Sequence, residues 1–318
     1  MMIKPNVKVY IISAVLVLAL FGVITLLLDV GVLNNFHRGL LMLVCIHIIL
    51  AVSLNLSAGF LGQLVLGHAA FMAVGAYTSA ILSTRLGIDN VFGFILVLIL
   101  GGLAAALSGI IIGVPALRLR GDYVAIVTLG FGLIVQSVLL NLGITGGADG
   151  LLGIPRLTNL GVAFFVMVVV VVMLVALVRS RHGRAMIAIR EDEIAAEASG
   201  VPTTYYKILG FTIAAFFAGV AGGLFAHRVS VLVPETFSFI YSIELLVIVV
   251  LGGMGSFTGA IVASVVLTLL PELLREFGEF RMLTYSILLI AMMIFRPKGL
   301  MGTYEFSLQR IIDKLKRR

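Results

Sequence analysis

The chain has 318 residues, of which 61% are hydrophobic and 12% are charged, and its formal net charge is +7. Soluble domains are about 25% charged and about 45–50% apolar, so a mean hydropathy of +1.21 excludes a soluble globule. The basic excess does not require a nucleic-acid partner, because anionic lipid headgroups account for it. We therefore expect membrane lipids, and no nucleic acid, among its partners.

Apolar runs that are long enough to cross a bilayer recur along the whole chain. A hydrocarbon core of about 30 Å needs about 20 apolar residues per helix. On this basis we predict about ten spans, with nine to eleven compatible with the shorter and Gly-interrupted runs. The predicted spans lie near residues 9–28, 39–56, 60–84, 91–114, 122–142, 161–178, 207–227, 241–252, 258–270 and 282–295.

These continuous runs predict helices and argue against a transmembrane β-barrel, which requires short alternating segments. The 35 glycines suit helices that approach one another closely. The first run has no small-residue cleavage site, so we interpret it as a span and not as a removable signal. The predicted fold is all-α: a single polytopic transmembrane helix bundle over residues 1–318 with broken helices.

Two Gly-rich stretches interrupt the apolar pattern. Gly59 and Gly62 lie in the first stretch, and Gly252, Gly253 and Gly255 lie in the second. By the predicted topology both stretches lie at the cytoplasmic ends of neighbouring spans. Broken helices at corresponding positions can mark a substrate path in transporters, and tight turns between packed helices are the alternative interpretation.

Polar side chains inside the predicted spans are candidates for lining a translocation pathway, because uncompensated polar groups in hydrocarbon are costly. The alternative for each is a hydrogen bond between helices, worth about 0.6 kcal/mol on average. For the glutamate among them, the alternative is an interfacial carboxylate that reaches water. The candidates are Asn55, Gln63, His68, Tyr77, Thr128, Gln136 and Glu244.

Residues 143–150 form a Gly-rich external loop, which is either a docking surface for an external partner or a flexible connection.

The stretch 179–207 is a long polar segment in an otherwise apolar chain. It carries five basic residues and four carboxylates, with apolar residues between them at roughly helical spacing. Gly200 followed by Pro202 is typical of a helix end. A short helix between two spans would move both of them if a docked partner pushed on it. The apolar residues expected to face that partner are Ile187, Ile189, Ile194 and Ala195.

The basic residues predict the orientation of the chain. With ten spans and both termini inside, most of the 22 Lys and Arg side chains become cytoplasmic, as the positive-inside rule expects. The segment 179–207 is therefore predicted to be a cytoplasmic loop. Residues 303–318 are predicted to form a cytoplasmic amphipathic helix on an anionic leaflet, and a frayed, solvated tail is the alternative.

Motifs for nucleotide binding, metal binding and nucleophilic catalysis are missing from the sequence. Without a Gly-rich phosphate-binding loop ending in Lys-Ser or Lys-Thr, the chain cannot bind nucleotide by that mechanism. The lone Cys45 excludes disulfides and cysteine-based metal sites. We therefore expect no enzyme activity, no catalytic residue, no metal and no cofactor on this chain.

The run from Gly183 to Gly200 resembles the cytoplasmic coupling loop of ATP-binding-cassette importer permeases, and it is most similar to that of the branched-chain amino acid permeases. In that family the loop docks on the ATPase subunit. The resemblance places Glu197, Ala198 and Gly200 in the Glu-Ala-x-Gly core of the loop, with Arg190 and Glu193 beside it as further coupling residues. Other matching segments, in order, are 54–77, 119–129, 145–150, 242–256 and 295–300.

This resemblance implies a permease subunit that carries leucine, isoleucine, valine or related amino acids inward across the bacterial inner membrane. The motifs resemble the M-type subunit more than the H-type, which implies a second, homologous permease chain. Further implied partners are two ATPase subunits, which would hold ATP and Mg²⁺, and an extracytoplasmic substrate-binding protein.

One departure from the family pattern concerns the fifth span. After Gly130-Phe131-Gly132 the family usually carries Glu and, three residues later, an Arg-like position, whereas this chain has Leu133 and Gln136. The missing polar pair leaves the substrate less well determined than the fold. The alternative class is an ATP-independent secondary transporter or channel for small polar solutes.

Overall fold

The computed structural model describes residues 7–31, 33–117, 121, 123–274, 278, 280–296, 299–302 and 304–305. Within these ranges the chain is helical apart from loops and one isolated antiparallel bridge between Leu151 and Leu232. The helices are α1 Val7–Asp29, α2 Asn35–Asn55, α3 His68–Leu86, α4 Val91–Ala116, α5 Tyr123–Asn141, α6 Leu160–Arg179, α7 Arg181–Glu191, α8 Glu193–Ala198, α9 Thr203–Val229, α10 Phe239–Gly252, α11 Phe257–Leu273 and α12 Arg281–Phe295. The predicted all-α bundle is confirmed.

Each of the ten predicted spans falls on a helix of this bundle. Among the described residues, five segments are long and apolar enough to cross a membrane: Asn35–Phe60, Val91–Ala116, Tyr123–Asn141, Leu160–Arg179 and Thr203–Val229. Shorter apolar helices cover Val15–Asp29, Phe239–Gly252 and Phe257–Leu273. The chain is therefore a multi-pass membrane protein by helix length and composition.

The third predicted span begins later than expected, at His68 and not at residue 60. Residues 56–60 continue α2 as a π-helical turn, and Gly62 then takes a positive φ of 75° that ends it. Leu66 follows in a non-helical stretch, and its backbone N–H donates to Thr128 Oγ1 of α5 at 3.1 Å. The connection between α2 and α3 is thus an irregular segment at the first Gly-rich stretch.

Close packing of α3, α4 and α9 forms one side of the bundle. A Cβ on Gly75 of α3 would overlap the backbone of Gly219 of α9, and a Cβ on Gly219 would lie 2.5 Å from the Cβ of Ala105 of α4. Small residues at a crossing let helices approach within backbone contact. The glycines predicted to permit such packing therefore lie where the three helices meet.

Helix α2 lies at the centre of the bundle and contacts α6, α9, α10 and α11. From Val44 to Asn55 all its residues except His47 are buried. Its π-turn, Leu56–Phe60, is also buried. A π-turn of this kind disturbs the regular hydrogen-bond ladder of a helix and often occurs at functional sites, so the C-terminal end of α2 is a candidate for motion.

The predicted external loop has a defined conformation. Residues 143–145 and 147–149 form two 3-10 turns, and Thr145 Oγ1 donates to Leu139 O at 2.6 Å. Leu151 then pairs with Leu232 in the loop after α9. Apart from Tyr304 and Glu305, the predicted amphipathic tail lies outside the described residues, as do Arg118, Arg120 and Asp122 near the start of α5.

Candidate coupling site and the polar residues of the bundle

The polar segment folds as two short helices, α7 and α8, where the sequence analysis expected one. Ser180 Oγ accepts hydrogen bonds from the backbone of His182 and Gly183 and so caps α7. Asp192 has extended backbone angles, and its Oδ1 accepts from Ile194 N at 2.9 Å and Ala195 N at 3.0 Å. An aspartate in this geometry is a strong N-cap, so a new helix begins where a continuous one was predicted.

The predicted helix end at Gly200 is confirmed. Gly200 has a φ of +83° and follows the last helical residue, Ala198, by two positions. Its N–H donates to Glu197 O at 2.9 Å, and Val201 N donates to Ala196 O at 3.1 Å. This pair of bonds is the Schellman arrangement, which favours glycine at the left-handed position.

Two of the five predicted coupling residues face their own chain. Arg190 Nη1 donates to Gly59 O at 2.8 Å, and Arg190 Nε donates to Glu191 Oε1 at 3.1 Å. Glu193 Oε2 lies 2.6 Å from Lys207 Nζ, at the start of α9, where the Lys207 side chain is only 3% exposed. These contacts hold α7 to the π-turn and α8 to α9.

The other three coupling residues, Glu197, Ala198 and Gly200, are exposed, as is Ile194 at 70%. Next to them is a surface depression of about 360 Å³ lined by Glu197, Gly200, Val201, Pro202, Thr203, Thr204 and Tyr205. The α7–α8 pair thus has one exposed face, which carries the acidic side chain of Glu197 and the apolar side chain of Ile194. This face has the exposure that a docking site requires.

The predicted apolar stripe divides between the two faces. Ile189 is 4% exposed and buried in the core, and Ile187 packs against that core. The expectation that Ile189 would face a partner was wrong, because α7 turns this side chain inward together with Gly183 and Met186. Only Ile194 and Ala195 of the stripe are exposed.

The two predicted helix breaks lie side by side. Asn55 Nδ2 donates to Ser256 O at 2.8 Å, and Gly255 N donates to Asn55 Oδ1 at 2.9 Å. A Cβ on Gly59 would overlap both Asn55 Oδ1 and Gly255 N. The end of α2 and the α10–α11 connection are therefore joined through one buried amide.

The second break is also held by the chain after α12. Leu300 N donates to Leu251 O at 2.6 Å and Met301 N donates to Gly252 O at 3.3 Å. Gly253 has a φ of +110°, and a Cβ there would overlap Gly302 O. Glycine is required at this position by both the backbone angle and the close approach.

Four of the predicted pathway residues are buried and hydrogen-bonded within the bundle. Asn55 has the two bonds described above, and His68 Nε2 lies 3.0 Å from Ser53 Oγ. Tyr77 OH donates to Leu232 O at 3.2 Å, and Thr128 Oγ1 donates to Ala125 O while accepting from Leu66 N. These contacts are those of the alternative interpretation, in which polar side chains join helices.

The other three pathway candidates lie nearer the surface. Gln63 and Gln136 are half-buried, and Glu244 is exposed on α10. Leu133, which stands at the departure from the family pattern, is also exposed on α5. These residues therefore lie at or near the surface of the bundle, and the described hydrogen bonds do not connect them with the buried four.

Two histidine clusters inside the bundle, one half-buried around His47 and one buried around His227, were not predicted from the sequence. His47 Nδ1 lies 2.8 Å from Thr268 Oγ1, and His47 Nε2 lies 3.1 Å from Tyr241 OH. His227 Nε2 lies 2.8 Å from Ser83 Oγ. The hydroxyl groups that hydrogen-bond to each histidine belong to residues far away in the sequence. The sequence therefore offered one sign of these clusters, a histidine inside an apolar run.

The part of the chain that the structure describes contains no group of three or more His, Cys, Asp or Glu side chains arranged to hold a metal ion.

Comparison with known proteins gives a consistent assignment. Residues 37–296 match the family described as branched-chain amino acid transport system / permease component. The chain is 43% identical to the high-affinity branched-chain amino acid transport system permease protein LivM of Salmonella typhimurium, over 80% of this chain and 68% of that protein. It is 42% identical to LivM of Escherichia coli, over 81% and 68% of the two chains.

A more distant relative is the permease protein LivH of Escherichia coli, which is 32% identical over 40% of this chain and 41% of its own. No solved structure matches. The family match covers most of the chain, including the polar segment 179–207, both helix breaks and every pathway candidate. The chain therefore belongs to the family of branched-chain amino acid transport system permease components.

Proposed function

We propose that this chain is the permease subunit of an ATP-binding-cassette importer that carries leucine, isoleucine, valine or related amino acids inward across the bacterial inner membrane. Family membership and the apolar helices support a multi-pass transport subunit. The observation that carries the proposal is the helix pair α7–α8. One face of this pair is anchored by Arg190 and Glu193, while Glu197 and Gly200 on the other face are free to receive a partner.

The partners follow from this role. One ATPase subunit would dock on the exposed end of α8 and a second on the related permease chain. The two ATPase subunits would supply ATP and Mg²⁺, so the permease itself performs no hydrolysis. The similarity to both LivM and LivH supports a second, related permease chain in the complex. A substrate-binding protein would deliver the amino acid to the extracytoplasmic side. Both termini and the α7–α8 pair would be cytoplasmic.

The buried polar residues have a mechanical role in this proposal. Asn55, His68, Tyr77 and Thr128 hold helices or loops together, and polar groups that find partners in the membrane are stabilised there. The surface candidates Gln63, Gln136 and Glu244 remain available to face the second permease chain or the substrate. Alternating access would then require the bundle to move as packed helices about the breaks.

Replacing the exposed docking residues tests the proposal. Glu197→Ala with Gly200→Val is expected to abolish leucine uptake and the co-purification of ATPase subunits, because it removes the free carboxylate and strains the helix end. The amount of permease in the membrane should stay the same. Glu235→Ala is the matched control, since Glu235 is an exposed carboxylate in the loop after α9. Normal uptake by the double variant would contradict the assignment of the loop.

A second experiment separates the proposal from an ATP-independent transporter or channel. The purified chain alone, in proteoliposomes without ATP, is expected not to move leucine. Leucine flux from such vesicles would favour the alternative class. Co-purification of the wild-type chain with an ATPase would support the importer.

A further inference from the structure

The side chain of Arg190 crosses from α7 to both helix breaks. Its Nη1 donates to Gly59 O at 2.8 Å, in the π-turn after α2. A Cβ on Gly62 would lie 2.9 Å from Arg190 Cγ, and a Cβ on Gly255 would lie 2.7 Å from Arg190 Nη1. The Arg190 side chain therefore packs against both glycines, with its aliphatic part next to Gly62 and its guanidinium next to Gly255, and a larger residue at either position would collide with it.

The two breaks that Arg190 contacts form one connected unit. Asn55 bonds the end of α2 to Gly255 and Ser256, and the rings of Phe60 and Phe257 have centroids 4.5 Å apart. Ser256 Oγ also accepts from Gly259 N, which caps the start of α11. A displacement at the π-turn is thus shared by the ends of α2, α10 and α11.

The chain after α12 joins the same unit from its other side. Ser256 Oγ donates to Tyr304 O at 2.6 Å, and Glu305 Oε2 accepts from Thr258 Oγ1 at 2.9 Å. Four elements therefore meet at the α10–α11 connection, and Arg190 is the contact that brings α7 to it.

The chemistry of arginine suits this position. Its guanidinium is planar, always charged and carries several N–H donors in a fixed geometry. Glu191 accepts from Arg190 Nε and lies against its second amino group, which balances the charge and fixes the plane. Hydrogen bonds from a charged donor are stronger than neutral ones, so this contact resists separation of α7 from the π-turn.

We propose that Arg190 is a positioning residue that converts a displacement of the α7–α8 pair into a joint movement of the two helix breaks. The inference rests on the proposed docking of an ATPase at α8. Arg190 would link the α7–α8 pair to the bundle, whereas Glu197 and Gly200 would contact the ATPase. The Glu193–Lys207 ion pair provides a separate link, from α8 to α9.

Uptake per ATP hydrolysed tests the inference in the full complex with its ATPase subunits, with leucine as the probe. Arg190→Gln is expected to leave the co-purifying ATPase unchanged and to lower leucine uptake per ATP about tenfold, which corresponds to the loss of one charged hydrogen bond. Arg190→Lys is expected to restore part of the coupling, because an ammonium group can still donate to Gly59 O. Arg184→Gln is the matched control, since Arg184 is exposed on the same helix.

A distance measurement distinguishes transmission from simple stabilisation. Spin labels at Ala188→Cys and Met254→Cys, two exposed positions in α7 and the α10–α11 loop, are placed in a Cys45→Ala chain. With Arg190 present, their separation is expected to be narrowly distributed and equal in the nucleotide-free and ATP-vanadate states. In the Arg190→Gln chain the distribution is expected to broaden and to differ between the two states.

The outcomes separate this inference from the proposed function. If wild-type permease retains no ATPase, the proposed function fails. If the ATPase is retained and Arg190→Gln preserves both uptake per ATP and the narrow distance, the role of Arg190 is overturned. Loss of ATPase binding in Arg190→Gln also overturns it, because Arg190 would then act in docking. Should Arg190→Gln fail to insert into the membrane, Arg190→Lys is measured instead. Wild-type leucine uptake per ATP together with an altered spin-label distance in that chain would contradict the inference.

Discussion

At the scale of single residues, Lys207 shows how a charge in a polar sequence segment can become part of the core. The sequence places it among the basic residues of a cytoplasmic loop, yet its side chain is 3% exposed and pairs with Glu193, which is 31% exposed. A buried charge is tolerated when it is paired, and removal of one partner is costly if it leaves the buried charge alone. The loss of Glu193 and the loss of Lys207 should therefore have different costs in stability.

We expect Glu193→Gln to be more destabilising than Lys207→Met. The first change leaves a buried ammonium without its carboxylate and should cost about 3 kcal/mol. The second leaves a carboxylate that reaches water, and the methionine keeps most of the buried volume, so its cost should be below about 1 kcal/mol. Thermal unfolding of the purified permease in detergent measures both. Equal losses would show that Lys207 does not depend on this partner, and Glu235→Gln serves as the exposed control.

At the scale of elements, the contacts of α3, α4 and α9 depend on the absence of side chains at their crossing. Gly75 and Gly219 are in backbone contact, and Gly219 also lies against Ala105. Association of helices in lipid depends on close van der Waals packing, since lipid chains are as apolar as leucine. The crossing thus explains why small residues recur in these helices, although each is weak as a sequence signal.

Gly219→Val is expected to separate α9 from α3 and α4 and to reduce the amount of folded permease in membranes severalfold. Overpacking of this kind forces backbone shifts that cost about 1–3 kcal/mol. Gly130→Ala in α5 is the matched control, because a Cβ at Gly130 would meet nothing within 4 Å. Quantified size-exclusion profiles of the detergent-solubilised proteins give the comparison. A Gly219→Val protein that elutes like the wild type would show that the crossing can open without loss.

At the scale of the whole molecule, the proposed orientation places the α7–α8 pair and the α5–α6 connection, which contains the loop 143–150, on opposite sides of the membrane. An odd number of crossings, made by α6 alone, separates the two segments. The segment 179–207 holds five basic residues, and such excess marks the cytoplasmic side. The docking face and the external loop are then available to different partners.

Labelling of single cysteines in intact cells tests this orientation. Leu152 and Ile194 are both exposed, at 63% and 70%. We expect a membrane-impermeant thiol reagent to label Leu152→Cys from outside and Ile194→Cys only after the cells are opened. The buried Cys45 should give no background. The opposite pattern would invert the topology and remove the α8 face from the cytoplasm.

Much of the architecture could be predicted because it depends on local properties of the chain. The length of an apolar run predicts a membrane helix, and Gly200 before Pro202 predicts a helix end. The charged segment 179–207 stands out by composition alone. The family resemblance, which covers segments from 54 to 300, agrees with the family match over residues 37–296.

The sequence by itself therefore determined the helical class, the approximate position of the spans, the two glycine-rich breaks and the place of the polar segment 179–207. Each of these follows from hydrophobic length, backbone preference or charge along a short stretch. Only the tertiary structure decided which side chains face inward. Arg190 reaches Gly59, 131 residues away, and Asn55 reaches Gly255, 200 residues away. Such pairings arise when helices pack, since burial forces each polar group to find a partner, and the position of that partner depends on the whole bundle.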